Sequence, residues 1–486
     1  MHQSNRRHFL SSTAALGAGY WVGTSARVRA ASPNNKLNIA CIGIGGQGGG
    51  NLGRVAGENI VAVCDVDEKR AGQNWTRFPK ARQYRDFRRM LDEMEKSIDA
   101  VVISTPDHTH FHPARQAMLM GKHVYCEKPL AHSAWECREL TRIASRMKVA
   151  TQLGNQRHAN AGMRRTVEAV QSGMVGKITE VYAFQGGSRG MPAIPSDFPA
   201  IPQELDWDLW LGPAKARPYS PAYCPYNWRF WWDFGTGETG NWGCHTLDIP
   251  YWALGLSHAK RVDLDVEPDV SEIDSQRTPK SMQTRLEFAA SDDGARPAVS
   301  VHWWHGGARK EVFKKYGAEQ KLVLFVGEKG TISADFGGYS ARLFDGSDPV
   351  VPEKSIAASP GFHQEWILAS KGGRRATCDF VDYSGPLAEG VLLANAAWRS
   401  GAGFDWEPES FKARGNGKVE EFIHPEFREG WKVSVRWPGM ASVSRVGKPR
   451  RILTRRERTG QGFKSRASSK EDRRDHHPIS SHGQYR

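Results

Sequence analysis

The sequence predicts an α/β domain on a doubly wound parallel sheet, followed by an α+β domain with an open, mostly antiparallel sheet. Three observations carry that prediction. Apolar runs of strand length alternate with helical segments over residues 35–153. A glycine turn, Gly43-x-Gly45-x-x-Gly48, follows the first of those runs. Over residues 154–440 the rhythm changes to runs that alternate or turn back like antiparallel strands. A chain of 486 residues is also longer than one core normally supports and suits two domains with extensions.

Residues 1–30 read as an export signal. Arg6-Arg7 precede Phe9-Leu10 and a small-residue stretch, and Val28-x-Ala30 offers a cleavage site after Ala30. The stretch is too short and glycine-rich to span a membrane, and no later one qualifies as a transmembrane anchor. The expectation is a twin-arginine signal peptide that sends a folded chain through the twin-arginine machinery to the periplasm or envelope of a bacterium.

The formal charge of +14 suggests nucleic acid until it is located. Residues 448–486 carry 12 Lys/Arg against 4 Asp/Glu, and residues 1–31 carry four arginines and no acid. The body between is left near +2, so a phosphate-gripping core is not indicated and no nucleic-acid partner is expected. The basic tail, 448–486, has no apolar periodicity and reads as a solvated, disordered extension. Seven cysteines without a CxxC spacing give neither a disulfide framework nor a zinc site, and no metal is expected.

In the first domain, "KLNIACIGIGGQGGGNLG" runs strand, glycine turn, helix. Residues Gly43, Ile44, Gly45, Gly46, Gln47 and Gly48 form a dinucleotide fingerprint, in which glycines let the backbone approach a pyrophosphate that the following helix start then meets. The strand "NIVAVCDVD" ends in Asp65, 22 residues after Gly43, where a carboxylate takes both ribose hydroxyls. That favours NAD, with NADP possible because Lys69 and Arg70 lie close by. The alternation continues through "DAVVIST", a helix at 113–120, "KHVYCEKP", the helix "SAWECRELTRIASRM" and the strand "KVATQLG". Ligands gather at the carboxyl ends of such strands. Those ends carry Thr105, Pro106, His108 and His110, then Glu127 and Lys128.

"TPDHTHFHPA", "GKHVYCEKPLA" and the glycine fingerprint together resemble the glucose–fructose oxidoreductase, inositol dehydrogenase and rhizopine-catabolism family (Gfo/Idh/MocA). The resemblance extends through "WRFWWDFGTGETGNWGCHTLDIPYWALG" and "SGPLAEGVLLANAAWRSGAGFDW", covering most of residues 36–406. It implies that Lys128 lies beside the nicotinamide and substrate hydroxyl, and that Glu127, Thr105, Pro106 and His110 help form the cofactor cleft. The Lys128–Pro129 bond is a candidate for cis. The resemblance also implies a homo-oligomer built on the outer face of the second sheet.

That second sheet is read from "GKITEVYAFQGG", "KRVDLDV", "SMQTRLEFAA", "AVSVHWWHG" and "QKLVLFVGEKGTISADF", with a hairpin at Gly327–Gly330; "FHQEWILASKGG" and "GPLAEGVLLANAAWRSG" read as late helices. His363 and Trp366 are candidates for the cleft wall. Of the tryptophans 207, 210, 228, 231, 232 and 242, one or two would touch substrate and the others fill core, with Trp242 the candidate contact. Arg229 would hold a hydroxyl or carboxylate, or else form a surface ion pair.

Oxidising a secondary alcohol requires removal of its hydroxyl proton, which histidine can take near neutrality; an ammonium favours the alkoxide-like transition state. Lys128 and His245 fit those roles. The family pattern places aspartate four residues before the histidine, whereas this chain has Asn241. Asparagine can hydrogen-bond but cannot stabilise imidazolium by charge, so either Asp248 or Glu238 supplies the carboxylate, or the chemistry is altered. The leading expectation is a dehydrogenase acting on a sugar, cyclitol or derivative with a tightly held nicotinamide cofactor. The alternatives are a redox-neutral NAD-dependent glycosidase and a non-catalytic dinucleotide- or sugar-binding protein.

Overall fold

The computed structural model describes residues 36–268, 273–307 and 310–433. The predicted signal at 1–30, the tail at 448–486 and the last residues of the 154–440 segment therefore lie outside the described residues. Strands β1 (Asn38–Ile42), β2 (Asn59–Cys64), β3 (Arg82–Tyr84), β4 (Ala100–Ile103), β5 (His123–Cys126) and β6 (Thr151–Leu153) make one sheet. Its order is β3-β2-β1-β4-β5-β6, and every pairing is parallel. All four residues of β4 are buried, as expected of a central strand covered on both faces. The strand order reverses between β1 and β4, so the loops after these two strands, Gly43–Gly46 and Ser104–Thr109, flank the crevice where such sheets bind ligands.

Local sequence explains the helices that frame this crevice. Helix Ala134–Met147 starts at a capping box in which Ser133 accepts from the Glu136 N–H and Glu136 reaches back to the Ser133 N–H. Its Cys137, Leu140, Ile143 and Ala144 face inward, and each full burial of a larger aliphatic chain contributes roughly 1.5–3 kcal/mol. The helix expected at 113–120 starts two residues earlier, as Phe111–Leu119, because proline is tolerated within the first helical turn.

The second sheet has nine strands. They are β7 (Ile178–Gln185), β8 (Arg261–Leu264), β9 (Met282–Phe288), β10 (Val299–His305), β11 (Val323–Gly327), β12 (Gly330–Asp335), β13 (Gly338–Leu343), β14 (Phe404–Glu407) and β15 (Lys412–Arg414). Their order is β13-β12-β11-β7-β10-β9-β8-β14-β15. Among the described residues, only the central β7–β10 pairing of this sheet is parallel. The β11–β12 hairpin turns at the predicted GEKG site. Along β9, Met282, Thr284, Leu286 and Phe288 point inward while Gln283, Arg285 and Glu287 are less buried, the period-two pattern of a sheet with one covered face.

Helix Gly385–Ser400 joins the halves. It is buried along almost its whole length and packs against both helix Ala134–Met147 and strands β8 and β9. Close approach depends on small residues: a Cβ on Gly243 would lie 3.3 Å from Val391 of this helix, and one on Gly390 would lie 2.2 Å from the Tyr251 hydroxyl. Among the described residues, no helix is long and apolar enough to cross a membrane.

Candidate active site

A cleft of about 410 Å³ runs from the glycine loop to His245. Gly43, Gly45, Gln47, Asp65, Thr105, Pro106, Glu127, Lys128, Arg229 and His245 line it. The glycine loop is built for close backbone approach. Gly43 has φ 73° and Gly46 φ 53°, a region that disfavours other residues. A Cβ on Gly48 would lie 1.8 Å from the Gly43 carbonyl oxygen, and one on Gly45 would lie 2.7 Å from the Arg70 side chain. Ile44, Gly46 and Gly48 thus shape the loop, while the cleft surface belongs to Gly43, Gly45 and Gln47.

Asp65 braces the same loop. Its Oδ2 accepts from the Ile44 N–H at 2.8 Å and the Gly45 N–H at 3.3 Å, and its Oδ1 accepts from the Asp67 N–H at 3.0 Å. Burial raises the Asp65 pKa, and the three backbone donors oppose that rise. Arg70, whose side chain reaches over Gly45 and Gly46, sets a cation beside the loop.

Glu127 is fixed by residues that the sequence did not single out. Its Oε1 accepts from Asn51 Nδ2 at 2.8 Å and Gln156 Nε2 at 2.6 Å. Asn51 also donates to Ser104 Oγ at 2.9 Å, and Asn51 Oδ1 lies 3.1 Å from His363 Nε2. Gly154 leaves the space, since a Cβ there would meet the Glu127 carboxyl at 2.7 Å. His363 therefore sits one layer behind the cleft wall, stacked on Tyr125 at 4.8 Å, its pKa pushed down to about 4 by burial. Trp366 is fully buried core. Neither residue lines the cleft.

Lys128 follows Glu127 through a cis peptide to Pro129. Its Nζ donates to the Asn241 backbone oxygen at 2.7 Å and to Asn241 Oδ1 at 3.0 Å. Burial lowers its pKa, against the pull of Glu127 and Asp107. Asn241 lies in a π-helical turn, Thr239–Gly243, and its Nδ2 donates to Glu238 Oε2 at 3.3 Å. Asn241 is thus the holder of Lys128, where the sequence suggested a partner for His245.

His245 lines the cleft with its Nδ1 buried and without a hydrogen-bond partner. Burial, then the Lys128 ammonium and the Arg157 guanidinium, push its pKa well below the ordinary value. Neither carboxylate proposed as its partner reaches it. Asp248 accepts from His158 Nδ1 at 3.0 Å and from the Tyr383 hydroxyl, and His158, Asp248 and Cys378 form a buried group of metal-capable side chains apart from the cleft. Glu238 is gripped by Arg189 Nε at 2.6 Å and Nη2 at 2.9 Å. Burial raises the Glu238 pKa, but the arginine outweighs it and holds the group low.

Three further expectations need correction. His108 and His110 do not line the cleft, because each ring is buried between two carbonyls. His108 nitrogens lie 3.1 Å from the Phe234 oxygen and 3.0 Å from the Trp210 oxygen, with burial pushing its pKa down to about 3. His110 nitrogens lie 2.7 Å from the Pro129 oxygen and 2.8 Å from the Thr105 oxygen, tying together the two strand-end loops. Trp242 is not in the cleft wall either. It packs on His245 at 6.1 Å and under the Arg157 guanidinium at 5.7 Å, while Trp210 and Trp228 reach the cleft. Arg229 does face the cleft, with its guanidinium 4.1 Å from the Trp228 ring.

Residues 37–155 match a family model described as an oxidoreductase family, NAD-binding Rossmann fold. Residues 193–296 match that family's C-terminal alpha/beta domain. The chain belongs to the Gfo/Idh/MocA oxidoreductase family. Among curated relatives, inositol 2-dehydrogenase of Salmonella typhimurium is 27% identical over 184 residues, which cover 36% of this chain and 54% of that protein. Inositol 2-dehydrogenase of Rubrobacter xylanophilus is 31% identical over 173 residues, 35% of this chain and 49% of that protein. The chain spans about half the length of the curated relatives it matches. Two solved family-like folds are the WlbA dehydrogenase of Bordetella pertussis, in complex with NADH and UDP-GlcNAcA, and the aldose-aldose oxidoreductase of Caulobacter crescentus. The first is 18% identical with TM-score 0.53, covering 77% of this chain and 99% of that one. The second is 17% identical with TM-score 0.51, covering 76% and 100%.

Proposed function

We propose that this chain is an exported NAD-dependent oxidoreductase acting on a secondary hydroxyl of a sugar, cyclitol or derivative. The observation that carries the reading is the meeting of Lys128 and His245 in one cleft with the glycine loop and Asp65. The loop fits a dinucleotide, because Gly45 and Gly48 leave no room for a Cβ and Gly43 adopts a positive φ. Gly43, Gly45, Gln47, Asp65, Thr105, Pro106 and Glu127 would hold the cofactor. A nicotinamide held there would supply the hydride-transfer chemistry.

The chain's own residues handle the proton. His245 is neutral at pH 7, because burial and two neighbouring cations disfavour imidazolium; it can therefore accept the hydroxyl proton. Lys128 is held by the two Asn241 oxygens, which leaves its third N–H for the substrate oxygen as negative charge develops there. Arg229 and Trp228 supply a guanidinium and an aromatic face for a hydroxylated ring. The test is to denature the purified protein, identify any released dinucleotide, and screen deuterated sugars and cyclitols for isotope transfer to the cofactor. Absence of a bound or bindable dinucleotide would overturn the reading.

A further inference from the structure

The cleft does not end at the glycine loop. Beyond Asp65 its wall is made of Val66, Arg85 and Phe87 from the parallel-sheet half, and of Leu209, Trp210 and Trp431 from far along the chain. In a doubly wound sheet, the acid at the end of the second strand marks the adenosine side of a dinucleotide site. Two segments outside the parallel sheet close over that side.

The first segment spans 204–212. Its backbone pairs with the chain just after Asp65: the Asp206 N–H donates to the Val66 oxygen at 2.9 Å, and the Glu68 N–H to the Glu204 oxygen at 3.1 Å. Asp206 then caps the short helix Trp207–Leu211, its carboxylate accepting from the Leu209 N–H at 3.0 Å. Gly212 follows at φ 51°, where a Cβ would press to 2.8 Å from Thr109 Cγ2.

The second segment, 427–431, lies across the first. The Arg428 N–H donates to the Pro213 oxygen at 3.1 Å. Its guanidinium donates to the Asp208 carboxylate at 2.6 Å, to the Asp208 backbone oxygen at 2.7 Å and to the Gly212 oxygen. Phe427 stacks on Phe111 at 5.9 Å. Trp431 is 7% exposed. Its carbonyl accepts from His112 Nε2 at 2.8 Å, and the Arg88 guanidinium lies 4.5 Å from its ring. Burial lowers the His112 pKa to about 4, so the ring is neutral at working pH and the carbonyl fixes its one proton on Nε2.

We propose that these two segments clamp the adenosine half of the dinucleotide and slow its release. Segment 427–431 is tied to the first segment through Arg428 and to the parallel-sheet half through Phe427 and Trp431, so opening that side of the cleft breaks these contacts. This rests on the cofactor reading above.

The test measures dissociation of NADH directly, by mixing the loaded full-length protein with an excess of a capturing dehydrogenase and its substrate and following loss of NADH fluorescence. The wild type should release NADH over many minutes or longer, and Trp431→Ala or Arg428→Ala should release it about 10- to 100-fold faster, an effect seated in the dissociation rate. Trp431→Phe, which keeps a ring for Arg88 and His112, should fall between. Thermal melting of the unloaded proteins separates loss of the clamp from loss of the fold. Fast wild-type release, or equal rates in folded wild type and Trp431→Phe and Trp431→Ala variants, overturns the clamp while leaving the cofactor reading intact. Failure of every variant and the wild type to bind NADH sinks the cofactor reading instead.

Discussion

Asn241→Asp is the most informative single change. In the wild type, Asn241 offers two oxygens to Lys128 and one N–H to Glu238. Among the described residues no carboxylate pairs with His245, whose pKa sits well below its ordinary value. Only the neutral imidazole can accept a proton, so the acid limb of the rate profile belongs below the ordinary histidine range, near pH 6.5. A carboxylate at 241 stabilises imidazolium and moves that limb upward. For two charges about 6 Å apart, the spacing of side chains one helical turn apart, an effective dielectric near 20 gives about 2.8 kcal/mol. That corresponds to about two pKa units. Lys128 Nζ, 3.0 Å from Asn241 Oδ1, neutralises part of the new charge, so a rise of about one unit is expected. The new carboxylate also faces Glu238, where an N–H donor stood at 3.3 Å. Glu238→Gln in the same protein should relieve that repulsion and preserve the shift. The assay is kcat/KM against pH from 4.5 to 9 for wild type, Asn241→Asp and the double variant. Superimposable acid limbs in all three would refute His245 as the base.

Other outcomes follow from the same geometry. Lys128→Met should lower kcat by about 10²–10³, the scale of losing one transition-state donor, with little change in NADH affinity by fluorescence titration; Lys128→Arg should not restore the rate, because a planar guanidinium cannot occupy the ammonium's seat between the two Asn241 oxygens. Gly154→Ala should weaken NADH binding at least about 10-fold (1.4 kcal/mol), since the added methyl displaces Glu127 from Asn51 and Gln156; unchanged affinity in a calorimetric titration would show that Glu127 is not needed for the cleft. Stability should fall on acidification. His108, His305 and His363 have folded-state pKa values near 3, 4 and 4, all lowered by burial, so their stabilising contribution is complete above about pH 6.5 and is lost as pH falls toward 4. At pH 5 each costs about 2 kcal/mol relative to pH 7, and a melting temperature that stays flat from pH 7 to 5 would contradict their burial as neutral rings.

Much of the fold was legible because its signals are local. Uninterrupted apolar runs marked β1, β2 and β4, and the GEKG turn marked the β11–β12 hairpin. The site was legible only where a residue type is demanded by backbone geometry, as in the glycine loop, or where motifs resembled a family. The support around Glu127 was invisible: Asn51 and His363 are 312 residues apart, and nothing in either neighbourhood signals the other. Trp431 lies further still from the glycine loop it helps enclose.

The histidines show why residue type alone misleads. His108, His110 and His245 all follow strand or helix boundaries in polar or glycine-rich stretches; the first two read as cofactor-cleft residues and the third as the base. What separates them is whether the fold has already committed both ring nitrogens. His110 has a carbonyl at each, 2.7 and 2.8 Å away, so a substrate would have to displace a brace that joins two loops. His245 has an orphaned buried Nδ1 and a ring in the cleft wall, so a proton taken from substrate breaks no existing bond. The same distinction reassigns Asn241. Its carboxamide holds a lysine, and an aspartate there would pair with that ammonium and confront Glu238 as well as stabilise imidazolium. A neutral residue at 241 therefore keeps His245 deprotonated and Lys128 positioned without a second buried charge, which makes this departure from the family pattern compatible with proton transfer at lower pH.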